Sequence, residues 1–172
     1  TVIDDLKEDH LSIEAAACAL TAFFLLGKEN NSSLGNIINS TNLKGRCDLV
    51  NNKFLLDVSH NPASVLQLSR YIERNYKKDH KISAIFGVMQ DKDVSEMVQS
   101  IKKHVTKWYA TSPDIERSLS AIDLTGLLSE LVTEEVVPTK SIKEAIDGAL
   151  VESESELVLI FGSFYTISEA FR

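Results

Sequence analysis

The sequence has few glycines, and they are scattered. The chain of 172 residues contains seven glycines, and no two of them stand at the spacing of a GxGxxG or GxxxxGKS loop. A glycine-rich loop that cradles phosphates is therefore excluded within these residues. Any nucleotide that this chain binds is held without a P-loop of its own.

Cysteine and histidine are scarce as well. The two cysteines, Cys18 and Cys47, lie far apart, and the four histidines show no metal-ligand spacing. This pattern argues against structural zinc, and we expect no metal site in this chain. Because no disulfide pattern is present, a reducing compartment is the default, and we expect a cytoplasmic protein.

Long apolar runs and an excess of basic residues are also missing. The longest apolar run, residues 15–27, is shorter than the roughly 20 residues needed to span a bilayer, and it predicts a buried helix. The N-terminus lacks a secretory signal pattern. The net charge of −7 argues against a basic face for nucleic acid. We therefore expect a soluble monomer without nucleic-acid or membrane partners, and a start at Thr1 rather than at methionine suggests a fragment.

The sequence does contain an alternation of strand and helix patterns. The runs CDLV and KFLLDV flank Asn51-Asn52, which favours a β-hairpin. Further apolar runs, KISAIFGV, WYAT, EEVVP and ELVLIFG, alternate with helical patterns. Continuous apolar strands in such an alternation indicate a parallel sheet covered on both faces. We predict an α/β fold with a Rossmann-like, doubly wound, mostly parallel sheet, a leading β-hairpin and helices on both faces.

Helical spacing and capping residues predict where the helices lie. We expect N-terminal caps at Ser12 and Asp93 and a capping box at residues 141–144. The predicted helices cover residues 13–26, 34–38, 62–76, 94–105, 121–131, 142–151 and 164–171.

Polar residues follow several of the predicted strands. Because ligands bind at the carboxyl ends of parallel strands near a topological switch point, we expect these residues to form one polar cleft. Each of them also has a structural interpretation, as a turn former, a surface residue or a helix cap, and spacing alone leaves both interpretations open. The residues are Asp57 with Ser59-His60-Asn61-Pro62, the run 89–93, the run 112–117 with Arg117, and Ser163.

Four segments together resemble a known family. They are Gly45-Arg46, DVSHNP at 57–62, FGVMQDKD at 86–93 and FGSFYTISE at 161–169. In this order and spacing they resemble the C-terminal domain of folylpolyglutamate synthases, including the bifunctional dihydrofolate synthases, in the Mur ligase superfamily. Residues 13–27 resemble the last helix of the family's central ATPase domain. We therefore expect residues 1–40 to be a remnant of that domain and 41–172 to be the C-terminal domain.

The resemblance implies an ATP-dependent amide ligase. ATP phosphorylates the carboxylate of dihydropteroate or a folate, and the amine of glutamate then attacks the acyl phosphate. It implies that Arg46 reaches the nucleotide phosphates, and that Asp57 and His60 are catalytic residues bordering the nucleotide. We assign Ser163 and Arg117 to glutamate.

The resemblance also implies partners outside this chain. ATP and Mg²⁺ serve the full-length enzyme, and the metal ligands belong to its own N-terminal ATPase domain. The remaining partners are glutamate and either dihydropteroate or tetrahydrofolate.

Departures from the family pattern and two alternative interpretations accompany the resemblance. Ser59 stands where the family usually has alanine, and Lys44 stands where proline usually precedes Gly45-Arg46. One alternative is another Mur-type ligase, such as one that adds amino acids to cell-wall precursors. The other is a non-catalytic α/β module that binds a nucleotide or a partner protein.

We predict that the isolated chain folds but hydrolyses no ATP, because its αβ alternation is complete while no phosphate-cradling loop is present. A cooperative melt followed by circular dichroism and a phosphate-release assay with ATP, folate and glutamate check the two parts. Folate-dependent ATP hydrolysis by the pure chain would contradict the prediction.

Overall fold

The computed structural model describes residues 11, 13–29, 33–151 and 156–171, so the expected cap Ser12 lies outside the described residues. The strands are β1 (Asp48–Val50), β2 (Phe54–Asp57), β3 (Ile82–Phe86), β4 (Val105–Ala110), β5 (Glu135–Pro138) and β6 (Leu157–Phe161). The helices are α1 (Ile13–Leu25), α2 (Leu34–Ser40), α3 (Pro62–Asn75), α4 (Val94–Ile101), α5 (Ala121–Leu131), α6 (Ile142–Val151) and α7 (Phe164–Ala170), with a 3-10 helix (Lys102–His104) after α4.

A β-hairpin opens the sheet, as predicted. β1 and β2 pair antiparallel, and the amide of Lys53 donates to the carbonyl of Val50 over 3.1 Å. Asn51 and Asn52 between them both have a left-handed backbone, with φ of 53° and 52°. A type I′ turn requires two successive left-handed residues, and asparagine adopts that conformation more readily than most residues. The dipeptide therefore sets the register of the hairpin.

The sheet has the strand order β1-β2-β6-β3-β4-β5. The pairs β2–β6, β6–β3, β3–β4 and β4–β5 are all parallel, so β1 is the antiparallel exception. After β5, the chain returns through α6 and inserts β6 between β2 and β3. This insertion confirms the predicted doubly wound, mostly parallel sheet.

Hydrophobic layers cover both faces of the sheet. Helices α3, α4 and α5 supply the core on one face, and α6 and α7 supply it on the other. Along β6, Leu157, Leu159 and Phe161 belong to the first layer, while Val158 and Ile160 belong to the second. Alternate side chains of a strand point to opposite faces, so a strand buried on both sides reads as one continuous apolar run.

Helix α4 is shorter than the sequence predicted. It ends at Ile101, although its apolar spacing predicted a helix up to Val105. The chain tightens into the 3-10 helix, and Val105 is already the first residue of β4, where it is buried. A valine suits a helix face or a strand, so spacing alone did not place the boundary. The predicted cap is present, because Oδ1 of Asp93 accepts the amide of Glu96 over 2.9 Å.

The predicted capping box at residues 141–144 forms with one change of partner. The hydroxyl of Ser141 accepts the amide of Glu144 over 3.1 Å, as in a capping box. The Glu144 carboxylate instead accepts the amide of Lys140, one residue before the expected donor, over 2.6 Å.

Throughout the described ranges, no helix is both long and apolar enough to cross a membrane.

A buried hydrogen bond joins α3 to the 3-10 helix. Ser69 is buried, and its Oγ lies 3.0 Å from Nε2 of His104. Burial lowers the pKa of His104 from its ordinary value of 6.5; the charge of Lys103 lowers it further, and Glu73 opposes the shift. The folded chain therefore favours the neutral imidazole, whose Nε2 shares a hydrogen bond with the Ser69 hydroxyl.

We predict that the chain loses stability as the pH falls below 6.5, through the protonation of His104. Below that pH the unfolded chain binds this proton more readily than the folded chain. The free energy of unfolding therefore decreases as the pH falls from 6.5 to the lower pKa that His104 has in the folded state. Urea unfolding between pH 5 and 7.5 measures the effect. His104→Gln retains a hydrogen-bond acceptor for Ser69 but does not titrate. It should therefore reduce the change in the free energy of unfolding between pH 5 and 7.5. An unchanged pH dependence in the variant would contradict the prediction.

Candidate functional site

The carboxyl ends of the parallel strands lie along one edge of the sheet. Strands β2, β6, β3 and β4 all end at this edge, and the predicted polar loops follow them. The chain after β2 and β3 enters helices on one face, whereas the chain after β6 enters α7 on the other face. Neighbouring loops that diverge to opposite faces open a crevice, and ligands bind at such switch points in α/β sheets.

A tight turn carries Arg46 beside this edge. The amide of Arg46 donates to the carbonyl of Leu43 over 2.9 Å, and Gly45, the third residue of the turn, has φ of +73°. These are features of a type II turn, in which the third position favours glycine and the second favours proline. The second position here is Lys44, which does not fix the backbone as proline would. The carbonyl of Gly45 accepts the amide of Val58 over 2.8 Å, which joins the turn to the chain after β2.

The carboxylate of Asp57 holds this turn in place. Asp57 ends β2 and is buried, with 3% of its surface exposed. Its Oδ2 accepts the amide of Cys47 over 2.8 Å, and the thiol of Cys47 lies 3.5 Å from the same oxygen. Its Oδ1 accepts the amide of Ser59 over 2.8 Å and also the Ser59 hydroxyl. A buried carboxylate needs such donors, and here all of them come from the chain itself.

Arg46 lines a cavity of about 480 Å³ between the turn, α3 and the start of α1. Within the described part of the chain, its guanidinium forms no ion pair or hydrogen bond. The cavity wall combines a second arginine, hydroxyl and amide groups with an apolar surface. Its lining residues include Asp57, Ser59, Asn61, Ser64, Gln67, Tyr71, Arg74, Leu11 and Ala15.

His60 points to a different part of the edge. Its Nδ1 lies 3.0 Å from the carbonyl of Val58, and its ring centroid lies 5.9 Å from that of Phe164 at the start of α7. Because a carbonyl only accepts hydrogen bonds, Nδ1 carries a proton and Nε2 is the acceptor of the neutral ring. His60 is therefore held on the α7 side, and it is absent from the lining of the Arg46 cavity.

Asn61 and Pro62 begin helix α3. Oδ1 of Asn61 accepts the amide of Ser64 over 2.9 Å, and the Ser64 hydroxyl lies 3.3 Å from the amide of Asn61. These two contacts form a reciprocal capping box, with Pro62 at the first helical position. The structural interpretation of DVSHNP thus holds for Asn61 and Pro62, while His60 remains available at the edge.

Ser163 caps helix α7 and is buried, with 4% of its surface exposed. Its Oγ accepts the amide of Thr166 over 3.0 Å and lies 2.7 Å from the Thr166 hydroxyl. That hydroxyl donates to the carbonyl of Gly87 over 2.7 Å, so the proton between the two hydroxyls comes from Ser163. The Ser163 proton is thereby used inside the chain, and donating it to a glutamate carboxylate requires this bond to break.

Glycine is required where β6 and β3 end side by side. Gly162 has φ of +118°, and a Cβ there would collide with the carbonyl oxygen of Gly87 and with the ring of Phe86. A Cβ on Gly87 would lie 3.0 Å from the Thr166 hydroxyl oxygen. The two glycines therefore let the strand ends and the α7 cap approach closely.

Arg117 lies beside α7 on the exposed surface. Its guanidinium carbon is 6.0 Å from the ring centroid of Tyr165, and the loop before it is anchored where Glu169 accepts the amide of Asp114 over 2.7 Å. The charge of Arg117 also contributes to the lowered pKa of Asp91, which is caused first by the hydrogen bond from Lys92. Arg117 thus lies beside Tyr165 of α7, the helix that Ser163 caps, and it is absent from the lining of the Arg46 cavity.

The predicted site residues lie in two places along this edge of the sheet. Arg46 and Asp57 meet on the α3 side, and His60, Ser163 and Arg117 lie around α7. Sequence reasoning missed the bracing roles of Cys47, Ser59 and Thr166. Only the proximity of Ser59 to Asp57 within one motif hinted at such a role, because the contacts from Cys47 to Asp57 and from Thr166 to Gly87 join residues distant in sequence.

The described residues offer no metal site. No group of three or more histidine, cysteine, aspartate or glutamate side chains among them is placed to hold a metal ion.

The sequence matches a known domain family and named relatives. The family of the Mur ligase, glutamate ligase domain matches residues 45–164. The dihydrofolate synthase/folylpolyglutamate synthase of Buchnera aphidicola subsp. Schizaphis graminum is 31% identical over 169 residues, which is 96% of this chain and 40% of that protein. The protein of the same name from Escherichia coli strain K12 is 28% identical over 157 residues, 89% of this chain and 36% of its own.

A solved structure shares the fold over most of the chain. E. coli FolC in complex with DHPP and ADP matches with a TM-score of 0.79 and 27% identity, covering 91% of this chain and 37% of that one. The chain thus spans about 40% of the length of the curated relatives it matches.

We predict that Ser163→Ala lowers the free energy of unfolding by about 1 kcal/mol, the usual cost of losing an N-cap. Because the Ser163 proton is already donated to Thr166, the Michaelis constant for glutamate in the full-length enzyme should change little. Chemical unfolding and steady-state kinetics measure the two effects. A higher glutamate constant at unchanged stability would instead support the glutamate contact expected from the sequence.

Proposed function

Because the chain belongs to the family of the Mur ligase, glutamate ligase domain, we propose that it is the C-terminal part of an ATP-dependent ligase. The proposed reaction joins glutamate to dihydropteroate or a folate through an amide bond. The names of the relatives support this choice, since they are dihydrofolate synthase/folylpolyglutamate synthases that match 96% and 89% of this chain.

The proposed reaction has two steps. A carboxylate oxygen of the pteroate or folate attacks the γ-phosphorus of ATP, and ADP leaves. The amine of glutamate then attacks the acyl carbon, phosphate leaves and the nitrogen loses a proton. Negative charge shifts between oxygens in the first step, so a well-placed cation stabilises the transition state.

The single observation that carries the proposal is the braced turn of Arg46. The guanidinium faces a cavity, and no carboxylate of the described chain neutralises it. A guanidinium presents several donors in a rigid fork that suits phosphate oxygens. The bonds from Cys47 to Asp57 and from Val58 to Gly45 fix the backbone on both sides of it. In this proposal, Arg46 is the cation that the C-terminal domain brings to the nucleotide phosphates.

The geometry supports different roles for Asp57 and His60. Both oxygens of Asp57 already accept hydrogen bonds inside the chain, which favours a positioning role through the Arg46 turn. His60 keeps Nε2 as an acceptor because Nδ1 donates to Val58. In the second step, Nε2 of His60 is placed to take a proton or to hold a substrate on the α7 side of the edge. Arg117 stays our candidate for a contact with glutamate on the α7 side, and Ser163 serves that side by holding the start of α7.

The remaining groups of the reaction come from outside this chain. We propose that ATP and Mg²⁺ are held mainly by the N-terminal ATPase domain of the same enzyme, where the metal neutralises phosphate charge. Exposed apolar residues at the end of α1, namely Phe24, Leu25 and Leu26, support the assignment of residues 1–40 to that domain. We further propose that the enzyme is a cytoplasmic monomer.

We predict that Arg46→Ala in the full-length enzyme lowers turnover by about 10³-fold with little change in stability, because a phosphate-directed arginine is lost from a half-buried turn. Steady-state kinetics and a thermal melt measure the two effects. Arg70→Ala is the matched control, since it removes an exposed arginine from the surface of α3. Near-normal turnover of Arg46→Ala would remove Arg46 from the proposed site.

A further inference from the structure

Ser59 is a buried polar residue beside the candidate site that has no role in the proposed reaction. Its side chain is buried, with 2% exposed, between the end of β2 and the start of α3. Its amide and its hydroxyl both donate to Oδ1 of Asp57, and the hydroxyl oxygen also lies 3.1 Å from the carbonyl of Ser64. No substrate group is needed to satisfy this serine, so its contacts serve the chain itself.

The contacts of Ser59 continue to the Arg46 turn. With Oδ1 held by Ser59, the second oxygen of Asp57 is aimed at Cys47, whose amide it accepts over 2.8 Å. Cys47 has φ of +45°, a left-handed backbone conformation that residues other than glycine rarely adopt. A residue in such a conformation persists only when its surroundings hold it. Arg46 directly precedes Cys47, so this bond holds the backbone from which the Arg46 side chain extends.

We propose that Ser59 is a positioning residue for Arg46, acting through Asp57 and Cys47. The proposal rests on the proposed function, in which Arg46 contacts the nucleotide phosphates. An alanine at position 59, as the family usually has, would keep the amide bond to Asp57 and lose the hydroxyl bond. In this chain the extra bond accompanies Lys44, which fixes the turn less firmly than proline would. The Ser59 hydroxyl therefore supplies rigidity from the opposite side of the turn.

The test uses Ser59→Ala in the full-length enzyme. Turnover should fall by about tenfold, the factor that corresponds to about 1.4 kcal/mol of transition-state stabilisation, and the Michaelis constant for glutamate should change little. Hydrogen exchange followed by mass spectrometry should show faster exchange in peptides that contain residues 44–48. Ser59→Cys keeps the side-chain size with a weaker donor, and it should lie between the wild type and Ser59→Ala.

A matched control separates positioning from general destabilisation. Ser69→Ala also removes a buried serine hydroxyl from α3, but that hydroxyl contacts His104 away from the edge. It should lower the melting temperature without changing turnover or the exchange of residues 44–48. Equal losses of turnover in Ser59→Ala and Ser69→Ala would overturn the proposal.

A double-mutant cycle tests the path through Arg46. If Ser59 acts through Arg46, then Ser59→Ala should cause no further loss of turnover in an Arg46→Ala background. The same tenfold loss in that background would overturn the proposal. If Arg46→Ala alone keeps normal turnover, the proposed role of Arg46 fails. The exchange measurement then still decides whether Ser59 holds the turn, because it does not depend on catalysis.

Discussion

The buried carboxylate of Asp57 is the interaction on which the candidate site depends. A charge at 3% exposure is tolerated only when donors surround it. Here the donors come from Cys47 before the hairpin and from Ser59 after β2, so one side chain joins two segments at the sheet edge. This junction holds the left-handed backbone of Cys47, which directly follows Arg46.

A second junction organises the other half of the edge. The insertion of β6 between β2 and β3 brings Gly162 against Gly87, and Thr166 of α7 donates to the Gly87 carbonyl. Because α7 leaves on the face opposite to α3, the edge divides at β6. Arg46 faces the α3 side and His60 contacts Phe164 on the α7 side. In the proposed reaction, the nucleotide phosphates belong to the Arg46 side of this edge and glutamate belongs to the α7 side.

The motifs that suggested chemistry also contain residues that stabilise helix starts and turns of the fold. In DVSHNP, Asn61 and Pro62 start α3, and Asp57 and Ser59 brace a turn. Nε2 of His60 has no hydrogen-bond partner among the described residues. The Ser163 hydroxyl likewise accepts the amide of Thr166 and donates to the Thr166 hydroxyl. Most residues of a short motif can therefore stabilise the fold while a single residue is left for a role in the reaction.

The sequence alone determined the class of fold and most of its elements. Alternating periods of 2 and 3.6, the hairpin pair Asn51-Asn52, the cap at Asp93 and Pro62 at the first position of α3 are local signals, so they could be read without the structure. The boundary of α4 was not local, because Val105 suits a helix or a strand equally well. Only the tertiary structure decided that Cys47 donates to Asp57, that Thr166 reaches Gly87 and that Asp57 and His60 point apart. Those facts depend on where β6 inserts and on contacts between distant residues, which no local pattern encodes.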